Sequence, residues 1–305
     1  MQPYLSILIC TYNPRRNYLN KVLAALKAQT FAIDQWELLL IDNASQELLS
    51  TEIDLTWHPQ ARHIREDQLG LTLARLRGIR EAQADILVFV DDDNVLDPDY
   101  LEVAYNISQN YPFIGAWGGQ LEGEFETPPP EWTKLYLHYL GIREFADDQW
   151  SNLLHQHETT PCGAGLCIRK KIAEQYAEMI QKDSKRLSLG RKGKLLTSCE
   201  DTDLAFTACD MGFGTGQFTA LKLKHLMPSD RLEEAYLLRL IEGLTYSHVV
   251  LDSFRNKLPH KPSSSLKTQL VEAYQLFKKS PRDRRFHQAR KRGFMLALQE
   301  VLGRA

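Results

Sequence analysis

The stretch "ILVFVDDDNVLDPDY", residues 86–100, joins an apolar run to three adjacent aspartates at 91–93. The run has the length of a buried strand, whereas the aspartates repel one another unless water or a cation screens them. One interpretation is a solvated turn, with Asp97 as the N-cap of a helix and Pro98 in its first turn. That explains Asp97 but not residues 91–93. Because ligands of open α/β sheets bind beyond the carboxyl ends of the strands, the cluster favours a site for Mg²⁺ or Mn²⁺.

Strands and helices alternate on both sides of this stretch. Apolar runs predict buried strands over residues 4–10, 36–42 and 85–90, with a weaker strand over 61–67, and helices follow the first and third of these four in the chain. This alternation predicts an α/β fold with a mostly parallel sheet flanked by helices. Farther along, we predict a last strand over 218–228 and, from Asp230 onward, two or three helices broken at Pro259–Pro262 and Pro281.

The sequence lacks the motifs of several common nucleotide-binding and calcium-binding sites. No G-x-G-x-x-G follows the first strand and no P-loop is present, so the phosphates of a bound nucleotide would need neutralising by other means, such as a cation at 91–93. The glycine-rich segment 212–216 follows a helix and is interpreted as a turn. An EF-hand does not fit either, because Val95 and Leu96 stand where that loop needs a ligand and a glycine.

Composition describes an ordinary folded protein with one unusual segment. The 305 residues are 43% hydrophobic and 25% charged, with five cysteines that show no zinc spacing, which predicts a reducing, cytoplasmic setting. Residues 261–305 hold 11 Lys and Arg against three Asp and Glu. This basic tail has three interpretations: packing on the rest of the chain through Leu266, Leu270, Tyr274 and Phe277, peripheral contact with an anionic membrane, or another partner. No nucleic-acid-binding motif appears.

Six motifs together resemble a known enzyme family. In order along the chain they are "SILICTYN", "LLLIDNAS", "LTLARLRGI", "ILVFVDDDN", "GAGLCIRK" and "CEDTDLAFTA". Their order and spacing over residues 4–227 are similar to those of the family two glycosyltransferases, which have the Rossmann-like GT-A fold. The resemblance implies inverting transfer of a sugar from a nucleotide-sugar, usually a UDP-sugar, with Mn²⁺ or Mg²⁺, to a glycan or lipid-linked acceptor. It implies a GT-A domain over 1–227, with a donor half to about 118 and an acceptor half from 119, and a C-terminal helical region over 228–305.

The resemblance also implies roles for individual residues. The expected donor-binding residues are Thr11, Asp42, Arg75 and Asp92; the expected metal ligands are Asp91, Asp93 and His225; the expected catalytic base is Asp201. For His225 an ordinary packed histidine is equally consistent with the sequence. One of the acidic residues at 200, 201 and 203 is expected to cap the helix that they begin, and Glu200 or Asp203 is the better candidate for that role.

Two rival functions remain open at the level of sequence. "VFVDDDNV" also matches the nucleophile motif of haloacid-dehalogenase-type phosphohydrolases, in which Asp91 would form an aspartyl-phosphate. That family places the motif on its first strand, whereas two strand–helix units precede it here. A non-catalytic nucleotide-sugar binder is the second rival, and the presence of both Asp93 and Asp201 argues against it.

Overall fold

The structure is a computed structural model that describes residues 2–191, 196–260 and 266–303. The chain divides into two compact units. The first comprises Met1–Leu187 and Glu200–Ser229, and the second comprises Ser188–Cys199 and Asp230–Ala305. Residues 261–265, which include the predicted break at Pro262, lie outside the described residues.

The first unit is a nine-stranded mixed sheet with helices. In chain order its elements are β1 (Leu5–Thr11), α1 (Arg16–Lys27), β2 (Trp36–Asn43), α2 (Leu49–Glu52), β3 (Ala61–Glu66), α3 (Leu71–Glu81), β4 (Ile86–Val90), β5 (Asn94–Leu96), α4 (Tyr100–Asn110), β6 (Ile114–Phe125), β7 (Gln149–Ser151), β8 (Cys167–Arg169), α5 (Lys170–Lys182), α6 (Glu200–Asp210) and β9 (Gly214–Met227). The strand order is β3-β2-β1-β4-β8-β6-β9-β5, with β7 also paired to β9. The pairs among β3, β2, β1 and β4 are parallel, as is β6 with β9, whereas β8, β5 and β7 pair antiparallel.

The strands that carry the site are the most buried parts of this sheet. Every residue of β1, β2 and β4 is buried, as expected for apolar runs that helices cover on both faces of a sheet. The apolar stripe of α1 packs into the same core through Leu19, Val22, Leu23 and Leu26. The predicted α/β fold with a mostly parallel sheet is confirmed.

Two local predictions differ from the structure, and pairing with β9 explains both. Helix α4 begins at Tyr100 with Asp99 at its N-cap, because the backbone N–H of Asp97 donates to the Lys222 carbonyl and stays in the β5–β9 pairing. Of the glycine-rich segment 212–216, Gly212 does form a turn with a φ of 81°. Gly214–Gly216, however, already belong to β9 and pair with β6 and β7.

The second unit is built on two long helices. Its helices are α7 (Glu234–Ser253), α8 (Leu266–Phe277) and α9 (Pro281–Leu302). Helices α7 and α9 pack so closely that a Cβ added to Gly293 would lie 2.2 Å from the Glu242 carbonyl oxygen. Phe286 of α9 is buried, and Arg282 and Arg285 both form ion pairs with Glu234. The predicted C-terminal helices are therefore present, and α9 packs on α7. In the described part of the chain, none of the helices has the length and apolar character that crossing a bilayer requires.

Candidate active site

The predicted donor-binding residues lie at the carboxyl ends of neighbouring strands. Thr11 ends β1 and is the register partner of Asp42 near the end of β2. The aspartates at 91–93 follow β4, which pairs with β1 on its other side. Because these strands are parallel, their ends meet at one edge of the sheet, where ligands of such folds bind. The sheet therefore brings together the three groups that the sequence proposed.

Asp42 is held by several donors. One carboxylate oxygen accepts from the Ser45 backbone N–H at 3.0 Å, and the other lies 2.6 Å from the Arg65 guanidinium and 3.3 Å from the Leu49 N–H. Burial alone would raise the pKa of Asp42, but the hydrogen bonds from Ser45, Arg65 and Leu49 outweigh it and lower that pKa. Asp42 is thus a fixed anion at this edge, and its contact with a base or ribose stays a prediction.

The three adjacent aspartates each have a different partner. The Thr11 hydroxyl donates to Asp92. Asp91 lies 3.5 Å from Nη2 of Arg75, and Asp93 lies 3.4 Å from Nε2 of His225. Opposite charge and hydrogen bonding therefore offset the repulsion among them. The turn that follows β4 directs the three carboxylates to three separate contacts.

Arg75 is a buried cation at the centre of the site. It lies on α3, is 4% exposed, and its guanidinium stands over the Phe89 ring at 5.5 Å from the centroid. Its Nη1 lies 3.1 Å from Oε1 of the buried Glu200. Burial would lower the pKa of Arg75, but the carboxylates of Glu200, Asp91 and Asp201 outweigh it and raise that pKa. The residue expected to face the nucleotide is therefore also the link between the end of β4 and the start of α6.

Asp201, the expected base, is fixed by backbone donors. Its Oδ2 accepts from the Gly163 N–H at 2.5 Å, and its Oδ1 accepts from the Thr202 N–H at 2.8 Å. It lies in the first turn of α6, where the helix dipole favours a negative charge. A Cβ on Gly163 would stand 2.6 Å from Nη2 of Arg75 and 3.0 Å from Oδ2 of Asp201. Gly163 thus occupies a gap between the central cation and the expected base that a larger residue would not fit.

The acidic neighbours of Asp201 bind arginines. Glu200 pairs with Arg75, and both carboxylate oxygens of Asp203 accept from Nη1 of Arg186, at 2.6 and 2.8 Å. Asp203 is completely buried. Glu200 or Asp203 was expected to cap this helix, and in the structure both side chains form ion pairs. A sequence pattern at a helix start does not distinguish such ion pairs from capping.

Two of the three expected metal ligands lie next to each other. Asp93 and His225 lie side by side because Asn94 pairs with His225 across β5 and β9, and the Leu226 N–H donates to the Asp93 carbonyl at 2.8 Å. A carboxylate oxygen and an imidazole nitrogen are both ligands that Mn²⁺ accepts. Among residues 2–191, 196–260 and 266–303, however, no three His, Cys, Asp or Glu side chains form a cluster able to hold a metal ion. Asp93 and His225 fit a metal as a pair, and Asp91 is joined to Arg75.

For three residues of the site, the sequence indicated either no role or a different one. Gly163 opens the motif "GAGLCIRK" but was given no role of its own, and Arg65 carries no local signal, since an arginine at a strand end is common. Glu200 was recognised only as a cap. Two nearby cysteines are not reactive groups, because burial raises the pKa of the Cys10 thiol to about 12 and also raises that of Cys162.

Comparisons with known proteins agree with this geometry. The family model described as "Glycosyl transferase family 2" matches residues 6–176, more than half of the chain, and confirms the resemblance that the six motifs indicated. The chain is 23% identical over 143 residues to glucosyl-dolichyl phosphate glucuronosyltransferase of Haloferax volcanii, covering 45% of this chain and 44% of that protein. It is 30% identical over 103 residues to glycosyltransferase AglE of the same organism, covering 33% of this chain and 34% of that protein. The aligned part is under half the length of each relative.

Solved structures show the same fold. Staphylococcus aureus TarS in complex with UDP-GlcNAc has a TM-score of 0.56 at 13% identity, over 100% of this chain and 80% of that chain. TarS in complex with UDP has a TM-score of 0.53 at 14% identity, over 100% of this chain and 92% of that chain. The predicted GT-A fold is confirmed by this likeness.

Proposed function

Because this chain belongs to glycosyl transferase family 2, we propose that it moves a sugar from a UDP-sugar to an acceptor hydroxyl with inversion at the anomeric carbon. The observation that carries the proposal is the position of Asp201. Its carboxylate is held by the Gly163 amide, and it belongs to the same charged network as Arg75 and Asp91 at the strand ends. A fixed carboxylate beside the donor-binding edge is what an inverting transfer needs as a base.

The proposed reaction is one displacement. The acceptor oxygen forms a bond to the anomeric carbon, and the bond from that carbon to the diphosphate oxygen breaks, so UDP leaves with the electron pair. Asp201 takes the acceptor's hydroxyl proton as the oxygen attacks. Thr11, Asp42 and Asp92 are proposed to bind the nucleotide, and Arg75 to hold Asp91 and Glu200 in place beneath it.

A divalent cation is part of the proposal. Asp93 and His225 would hold it, with Asp91 as a further candidate from the sequence. Bound there, Mn²⁺ or Mg²⁺ would stabilise the negative charge on the departing diphosphate. The side chains supply an oxygen and a nitrogen ligand, and they are only 11% and 12% exposed in Asp93 and His225, so the pair is already largely desolvated.

The acceptor is proposed as a glycan or lipid-linked glycan. One relative is named for a dolichyl phosphate-linked sugar. Of the tryptophans in the acceptor half, Trp150 is 48% exposed and available to stack on a sugar ring, whereas Trp117, at the end of the donor half, is buried completely.

The test is to incubate the protein with UDP-sugars, Mn²⁺ and candidate acceptors while measuring UDP and inorganic phosphate separately. Acceptor-dependent UDP release that Asp201→Asn abolishes supports the transferase. Release of phosphate without UDP would support the phosphohydrolase with Asp91 as nucleophile. Tight UDP-sugar binding without turnover on any acceptor would support the non-catalytic binder.

A further inference from the structure

Helix α8 carries an apolar face that the protein leaves exposed. Leu270 is 70% exposed, Tyr274 60% and Phe277 78%. Their spacing of four and three residues places them on one side of the helix, and Val271 lies next to them at 48% exposure. Packing on the rest of the chain was one of the three interpretations of this segment. The exposed residues form a continuous apolar strip, which a protein does not normally present to water without a partner.

Cations follow this strip at the C-terminal end of α8. Lys278 and Lys279 are exposed, and Nζ of Lys278 lies 4.4 Å from the centre of the Tyr274 ring. Arg284, from α9, donates to the carbonyl oxygens of Leu276 and Phe277 at 2.9 Å and so closes the end of α8. The strip and the two lysines are thus fixed to each other and to the start of α9.

The basic residues of α9 are placed differently. Arg282 and Arg285 pair with Glu234, and Arg292 pairs with Glu242, all within the packing of α9 on α7. Lys278 and Lys279 instead follow an exposed apolar strip directly. The exposed positive charge of residues 261–305 therefore includes two lysines that adjoin the apolar face of α8.

We propose that the α8 face, defined by Leu270, Val271, Tyr274 and Phe277 with Lys278 and Lys279, docks on the surface of an anionic lipid bilayer. An amphipathic helix lies in such an interface with its apolar side chains among the acyl chains. Lysine side chains extend their ammonium groups to the phosphates while their methylene stems stay apolar. A second copy of this face would bring cations against cations, so charge favours lipid over self-association. The proposal does not depend on sugar transfer.

The test is co-sedimentation of the full chain with phosphatidylcholine vesicles, with and without phosphatidylglycerol. We expect binding to the anionic vesicles at low salt and release at high salt, because salt screens the attraction. The double substitution Leu270→Gln/Phe277→Gln replaces two apolar side chains of this face with glutamine, a residue that favours helix. It is expected to abolish binding. Lys278→Gln/Lys279→Gln is expected to weaken binding roughly 30-fold, at the usual contribution of a basic residue near an anionic surface.

Matched controls use exposed residues of the first unit. Leu135→Gln/Leu153→Gln removes two leucines that are 74% and 61% exposed, and Lys134→Gln/Lys182→Gln removes two exposed lysines. Both should bind as the parent does, and all variants should unfold at the parent's temperature. Equal binding to neutral vesicles, equal loss in the control variants, or no binding to anionic vesicles at low salt would overturn the proposal. The proposal would also be overturned if the parent forms an oligomer that Leu270→Gln/Phe277→Gln dissociates while the parent binds no vesicles.

Discussion

The backbone amide of Gly163 lies 2.5 Å from Oδ2 of Asp201, and the missing side chain of the same glycine leaves room for both Arg75 and Asp201. The amide donates to the carboxylate and so fixes its position, while the missing side chain lets a buried cation approach it. The proposed base is therefore held by a residue 38 positions away in the chain.

Gly163→Ala should damage catalysis more than folding. The added Cβ would lie 2.6 Å from Nη2 of Arg75 and must push either that group or Asp201 aside. Since small displacements of a catalytic group cost rate steeply, we expect kcat to fall about 100-fold. The measurement is kcat and the donor KM together with thermal unfolding. An alanine variant with the parent's kcat would mean that Asp201 needs no support from this loop.

Asp201→Asn tests the base directly. Asparagine keeps the size of the side chain but cannot take the proton from the hydroxyl of the acceptor substrate. We therefore expect kcat to fall by roughly 100-fold or more while the donor KM stays nearly the same. Asp210→Asn, at the exposed far end of the same helix, is the control and should behave as the parent does. A collapse of UDP affinity with kcat preserved would make Asp201 a binding residue.

The buried pair of Arg75 and Glu200 should show energetic coupling. Arg75→Met or Glu200→Gln alone leaves a buried charge with one partner fewer, and each should lower the free energy of unfolding by about 3 kcal/mol or more. The double variant should lose less than the sum, as measured by urea denaturation in a double-mutant cycle. The exposed pair Lys182 and Glu178 serves as control, with a coupling of about 0.5 kcal/mol or less. Strictly additive losses would contradict a coupled pair.

Removal of divalent cations should stop the reaction. We expect excess EDTA to abolish activity, Mn²⁺ or Mg²⁺ to restore it, and Asp93→Ala to remain inactive with the parent's thermal stability. In the presence of UDP, the affinity of the His225→Ala variant for Mn²⁺ should be lower than that of the parent by about tenfold or more. Electron paramagnetic resonance of Mn²⁺ measures this affinity. His287→Ala, on α9, is the control. Full activity in EDTA would exclude a required metal.

His58 should make stability depend on pH. It is 3% exposed, its ring lies 4.1 Å from the Trp36 ring, and burial lowers its pKa from 6.5 to about 4. The folded state thus prefers the neutral ring, so its contribution is complete above pH 6.5 and declines as the pH falls toward 4. The loss amounts to at most about 3 kcal/mol.

The measurement for His58 is urea denaturation at several pH values, with NMR titration of the ring. His58→Gln keeps an acceptor for the Gln60 N–H, which lies 3.1 Å from Nδ1. It should be less stable than the parent at neutral pH but show a flatter pH dependence between 6.5 and 4. An unchanged slope in this variant would assign the effect to other groups.

The sequence predicted what depends on short-range pattern. Strands β1, β2 and β4 are continuous apolar runs, and a parallel sheet brings their ends together. Residues 91–93 were therefore predicted from position, whereas Thr11 and Asp42 were identified through the family resemblance. Three-residue strands β5 and β7 were not predicted, because their extended backbones depend on hydrogen bonds to β9. The contact between Arg75 and Glu200 joins positions 125 apart, and no local pattern encodes it.

The path of the chain links the segment that precedes α6 to the C-terminal helices, although the two are distant in sequence. The segment Ser188–Cys199 leads directly into α6, which begins two residues before Thr202. This segment belongs to the same unit as α7 and α9. There the Ser198 N–H donates to the Ser247 hydroxyl at 3.1 Å, and a Cβ on Gly243 would lie 2.3 Å from the Leu196 carbonyl oxygen. Cutting the protein after Ser229 would keep every proposed site residue yet release the segment that leads into Asp201. Because residues 188–199 and the C-terminal helices belong to the same unit, swapping those helices between relatives would require rebuilding residues 188–199 with them.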